Sequence, residues 1–115
     1  MKVSVAAHQG YQLVSVTGKI TIGNGDIYLR ETILKIIGEG HKKIVLDLSK
    51  VSYMDSSGLG ELISIYQCVK HSLVDLCLVG LNPKIYSILA LAQLVALFPI
   101  YDSVEDAAMI GFAPA

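Results

Sequence analysis

The sequence predicts one α/β domain over residues 1–115, a mostly parallel central sheet with helices packed on it. Three observations predict it. Apolar runs rich in branched residues, "KKIVLDLS" and "DLCLVGL", alternate with stretches whose apolar residues recur at helical spacing. Gly, Asn, Asp and Ser punctuate the junctions between them. The chain has 115 residues, 53% of them hydrophobic, which fills one core and leaves little room for a second domain.

The elements follow in order. "KVSVAA" and "YQLVSVTG" read as strands joined by "HQG", a hairpin connection containing glycine. "TIGNGD" is turn chemistry, with Asp26 as N-cap of the segment behind it. In "IYLRETILKIIGEG", Leu29, Ile33, Ile36 and Ile37 share one face, and Arg30, Glu31 and Lys35 lie off it. Gly38 or Gly40 closes that helix. "KKIVLDLS" has the unbroken apolar character of a strand covered on both faces. A second helix carries Leu59, Leu62, Ile63, Tyr66 and Val69 as its core stripe.

"DLCLVGL" is another buried strand. Asn82 then caps a third helix, with Pro83 at its first position and Ile85, Ile88, Leu89 and Ala92 on one face. "FPIY" is a short strand, and Ser103 with Asp106 three residues on opens the last helix. The order is β-β-α-β-α-β-α-β-α. From the third strand onward the alternation predicts parallel strands joined by right-handed crossovers.

Composition removes several function classes. Nine basic and ten acidic residues give a net charge of −1 with no basic block, so no nucleic-acid partner is expected. The amino terminus lacks a charged region followed by a sustained apolar one, so no secretory signal is expected. The longest apolar run, "ILALAQLVALFPI" at 88–100, is shorter than the roughly 18 residues of a spanning helix. Gln93 and Pro99 also interrupt it, and no membrane insertion is expected. It reads as a buried helix leading into a strand. Exposure of Leu91, Leu94 and Val95 would instead serve self-association, and a homo-oligomer stays open.

Cys68 and Cys77 sit in no CxxC or Cys/His cluster, as expected of reduced thiols in a cytoplasmic protein. His8, His41 and His71 are scattered, so neither a metal site nor a cofactor is expected.

The stretch "VSYMDSSGLGELISIY" at 51–66 carries the chemistry, because a carboxylate, two hydroxyls and two glycines meet where a strand hands over to a helix. It admits four readings. Asp55, Ser56 and Ser57 would cap the helix by accepting from its first N–H groups, with Gly58 and Gly60 allowing a tight turn. A hydrolase elbow would need G-x-S-x-G and a nearby histidine, and His71 lies at the far end of the same helix. A nucleotide-phosphate loop would need more than "GLG" or the "GNG" at 23–25, and no Walker-type lysine follows. The fourth reading is a phosphorylation switch. A phosphoryl group on a serine at a helix amino terminus adds about −1.5 to −2 charges to an otherwise apolar surface beside Asp55. The fold would persist while the interface changed sign.

"VSYMDSSGLGEL" following "KKIVLDLSK" closely resembles the STAS domain, and within it the bacterial anti-sigma factor antagonists. "LVSVTGKITIG", "LRETI", "IVLDL" and "LCLVGLNPKIYSIL" extend the resemblance over nearly the whole chain. The resemblance implies a non-enzymatic protein that binds an anti-sigma factor and so releases a sigma factor. That partner is also a serine kinase, which brings the ATP and phosphorylates the serine directly after the motif's aspartate. By the motif the acceptor is Ser56, Ser57 is the neighbouring hydroxyl, and a serine phosphatase resets the switch.

Two departures bear on the partner. Family members often carry Gly-Glu-Leu-Asp after the second strand, whereas this chain reads "GKIT", with Thr21 in place of the aspartate. They also often carry glycines where this chain has "HSLVD".

A second stripe on the motif's helix, Ser57, Glu61, Ile65 and Cys68, begins at the turn itself and is expected to face the partner. The full expected contact set is Thr21, Asp55, Ser56, Ser57, Gly58, Leu59, Glu61, Ile65 and Cys68. The alternative function is a STAS scaffold in a larger signalling assembly, or a regulator of a membrane protein, without sigma-factor control.

Overall fold

Strand β1 (Lys2–His8) turns back antiparallel onto β2 (Tyr11–Ile20), with Lys2 opposite Thr17 and His8 opposite Tyr11. The chain then repeats one move three times. Helix α1 (Asp26–Gly38) leads to β3 (Lys43–Met54), α2 (Ser56–His71) to β4 (Asp75–Val79), and α3 (Pro83–Leu91) to β5 (Ile100–Tyr101). Each new strand lies parallel to the last, giving a five-stranded sheet in the order β1-β2-β3-β4-β5. Helix α4 (Val104–Ile110) follows. The element order is the one the sequence predicts. This computed structural model describes residues 1–8, 10–22 and 26–110, without the side chains at 26, 109 and 110. The "GNG" turn, Gln9 of the hairpin connection and the capping side chain of Asp26 lie outside the described residues.

Three crossovers in one direction place α1, α2 and α3 on the same face of the sheet. Ile44, Leu46 and Leu48 of β3 join Leu29, Ile33, Leu62, Ile85 and Leu89 there in the main core. The alternate residue Val45 points the other way, against Cys77, Val79 and Ala107 of α4. Double coverage of β3 therefore holds only at its start, and Ser49 and Lys50 are exposed. Cys68 and Cys77 are both free thiols. Burial pushes the Cys77 thiol up to about 12, which leaves it protonated and unreactive at neutral pH.

Helix α3 ends earlier than the apolar run suggests. Gln93 adopts φ 60°, and the N–H of Leu94 returns to the Leu89 carbonyl at 2.8 Å, closing a Schellman turn. Ala92, expected on the core stripe, is exposed for that reason. Leu94 and Phe98 instead reach the core from the connection after the helix, while Leu91 is left in solvent. Among the described residues no helix is long and apolar enough to cross a membrane.

Candidate functional site

The site is built where β2 and β3 end side by side. Two register shifts in their pairing, one at Gly18 with φ +105°, let β2 run on until Ile20 stands opposite Met54. One residue beyond each strand end come Thr21 and Asp55. The N–H of Asp55 donates to the Ile20 carbonyl at 3.3 Å, tying the two exits together.

Asp55 then does two things at once. Its Oδ1 accepts from the Gly58 N–H at 3.0 Å, which makes it the N-cap of α2. Its Oδ2 accepts from the Ile22 N–H at 3.1 Å, which holds the connection leaving β2. The Gly58 N–H holds the carboxyl below the usual carboxylate range. Partial desolvation opposes this, and the N–H groups of Ile22, Ser57 and Asp55 itself add to it. At neutral pH the cap is a charged carboxylate.

Gly58 is required by contact. A Cβ there would run into the Ile20 carbonyl and stand 2.6 Å from Cγ of Met54. Nothing lies within 4 Å of a Cβ at Gly60, so that position presents open surface.

This arrangement separates the two serines from structural duty. Asp55, not a hydroxyl, caps the helix. Ser56 is the first residue of α2 and exposed, and its hydroxyl has no hydrogen bond among the described residues. Ser57 is half-buried beside it. The histidine a hydrolase would need stays remote: His71 is the last of the 16 residues of α2, about 22 Å from the first at 1.5 Å per residue. No group of His, Cys, Asp and Glu able to hold a metal occurs among the described residues.

Thr21, Asp55, Ser56, Ser57, Gly58 and Leu59 therefore come together. The lower half of the expected contact stripe does not. Ile65 is 0% exposed and belongs to the core. Glu61 is also buried, with Oε1 3.6 Å from the Arg30 guanidinium and Oε2 without a partner among the described residues. Cys68 is half-buried, three turns from Ser56. The reason is rotational. Gly58, Glu61, Leu62, Ile65 and Val69 face inward, so the expected core residue Ile63 is 40% exposed.

The outward stripe is Ser56, Gly60, Ile63 and Gln67, at spacings of four, three and four. Ile22, 75% exposed, stands beside its upper end through the bond to Asp55. These were missed because Glu61 reads as a surface residue until Arg30 of α1 is placed against it.

Residues 2–107 match the family model of the STAS domain. The chain belongs to the STAS domain family. As a STAS domain it is 25% identical over 107 residues to the anti-sigma F factor antagonist of Paenibacillus polymyxa, covering 93% of this chain and 92% of that one. A Thermotoga maritima crystal structure shares the fold with a TM-score of 0.86 at 23% identity, over 94% of this chain and 92% of that chain. The Bacillus cell fate determinant SpoIIAA, solved in its phosphorylated form, has a TM-score of 0.72 at 17% identity, over 96% and 98% of the two chains. The STAS fold and the predicted sheet agree.

Proposed function

We propose that this chain is an anti-sigma factor antagonist, acting in the cytoplasm as a phosphorylation-gated binding module. Unphosphorylated, it binds an anti-sigma factor that is also a serine kinase, and the sigma factor is released. Phosphorylation of Ser56 by that kinase ends binding, and a serine phosphatase restores it. The kinase brings the ATP; this chain supplies the acceptor and the docking surface.

The observation that carries this reading is the division of labour at the turn. With Asp55 capping α2, the Ser56 hydroxyl is exposed and uncommitted. A phosphoryl group there would sit at the positive end of the helix dipole, so the helix tolerates it. It would also stand next to the Asp55 carboxylate on a surface flanked by exposed Ile22 and Ile63. A partner that buries those side chains would have to desolvate a dianion as well. The proposed contact set is Thr21, Asp55, Ser56, Ser57 and Leu59, extended by Ile22, Gly60, Ile63 and Gln67 in place of Ile65, while buried Gly58 seats the helix beneath it. A named relative of the anti-sigma antagonist class and a related fold solved in phosphorylated form support the same reading.

The test is a pull-down from source-organism lysate with wild type and Ser56→Asp in parallel, both checked by circular dichroism. The expected result is an ATP-binding serine kinase retained by wild type and lost by the folded Ser56→Asp variant. The same non-kinase partners on both baits would replace the switch with a scaffold.

A further inference from the structure

The sheet ends differently at its two edges. Strand β5 has two residues, so little of that edge stands open. Strand β1 has seven and pairs only with β2 among the described residues. Alternate residues of β1 therefore turn their N–H and C=O groups away from the sheet. Every residue of β1 except Val3 is exposed.

Natural edges are usually blunted by a proline, a bulge or a charge within the strand. In "KVSVAAH" the only charged or titratable groups stand at the ends, and its pairing with β2 runs through without a register shift. Beside it on the α1 face lies a groove of about 360 Å³, lined by Val5, Tyr28, Glu31, Lys35 and Ile36 among others. Val5 and Tyr28 are 47% and 56% exposed.

We propose that β1 pairs antiparallel with β1 of a second copy of this chain, forming a symmetric dimer through one continuous sheet. The occupant is argued from self-complementarity. A two-fold axis at Val5 sets Val5 against itself and Val3 against Ala7, all apolar, on the α1 face. On the other face it sets Ser4 against Ala6 and Lys2 against His8, so no two fixed like charges meet. Glu31, Lys35 and Glu39 line the groove one turn apart, so two antiparallel α1 helices would have to register each Lys35 against an acidic residue of the other copy.

A strand edge alone is smaller than a standard interface of roughly 1,200–2,000 Å². The α1 groove would have to contribute as well. The pairing is independent of the sigma-factor reading. Ser56 lies beyond the ends of β2 and β3 rather than on this edge, so the dimer carries two free switch sites.

Sedimentation equilibrium of the full chain, from low micromolar to near-millimolar concentration, tests this directly. Wild type should approach twice the chain mass, and Val5→Lys should weaken the dimer by at least about tenfold with an unchanged circular dichroism spectrum. In a Cys68→Ser background, Val5→Cys should form a disulfide dimer under mild oxidation far faster than Val3→Cys, because only position 5 faces itself. A chain that stays monomeric throughout overturns the proposal and leaves the edge to a strand of another protein. A dimer that survives Val5→Lys, or equal cross-linking at positions 3 and 5, overturns it too.

Discussion

The amino termini of α2 and α3 are built to one plan and finished differently. Each follows a parallel strand, and at each the capping side chain reaches two backbone groups in separate parts of the fold. At α3, Asn82 accepts from the Ile85 N–H at 2.8 Å and donates to the Val51 carbonyl at 3.0 Å. At α2, Asp55 accepts twice, from Gly58 and from Ile22. An amide can satisfy one donor and one acceptor, so Asn82 is a neutral staple between helix and strand. A carboxylate accepts at both oxygens, so Asp55 leaves a negative charge at the surface. Behind Asn82 comes Pro83, which offers no hydroxyl; behind Asp55 comes exposed Ser56. Both ends are well capped, and only one is a place where an added phosphoryl group would alter charge without removing the cap.

The largest effect that sharpens this contrast is expected inside α2 itself. Gly58→Ala forces a methyl against the Ile20 carbonyl and Met54, and overpacking of this kind costs about 3 kcal/mol. For a chain of this size that lowers the melting temperature by roughly 10 °C. Gly60→Ala, in open space on the same helix, should raise stability by up to about 1 kcal/mol. Equal effects of the two substitutions in thermal melts would mean that α2 is not seated on Ile20 as described.

A smaller loss follows at the other helix. Asn82→Ala removes a cap and leaves the Val51 carbonyl without its partner, costing about 2 kcal/mol in a denaturant titration. Binding of the proposed anti-sigma factor partner should be unaffected. A loss of binding without a loss of stability would move the docking surface to α3.

The smallest effect is one of pH. The Asp55 carboxyl lies below its ordinary value, so the stability from its cap is fully present above the unfolded pKa of about 3.9. It is lost as pH falls through the lower folded value. The protection factors of the Gly58 and Ile22 amides, corrected for intrinsic exchange, should therefore fall on acidification below about pH 4, while that of Ile85, capped by a side chain that does not titrate, stays high. If all three protection factors fall together, acid is acting on the whole fold and the two caps do not differ.

Much of this was legible in the residues. Branched apolar runs marked β3 and β4; the caps at Asn82 and Ser103, and a cap within Asp55, Ser56 and Ser57, were visible because local chemistry sets them. Ser103 Oγ does accept from the Asp106 N–H, at 3.1 Å. The DSSG motif was legible too, as a constellation at a strand-to-helix junction. What the sequence did not carry was the assignment of the cap to Asp55 alone.

Local signals, by themselves, determined the order of elements, the parallel sheet and the position of the DSSG turn. Backbone conformation and capping depend on neighbours a few residues away, and those are written in the chain. Tertiary structure alone decided which way α2 is rotated, where α3 stops and which face α4 covers. Leu59, Leu62, Ile63, Ile65, Tyr66 and Val69 offer more apolar surface than one face can hold, so periodicity admits more than one inward stripe. The choice falls to contacts distant in sequence. Gly58 seats the helix on Ile20 and Met54, and Arg30 of α1 makes burial of Glu61 tolerable, which turns Ile65 inward and Ile63 out.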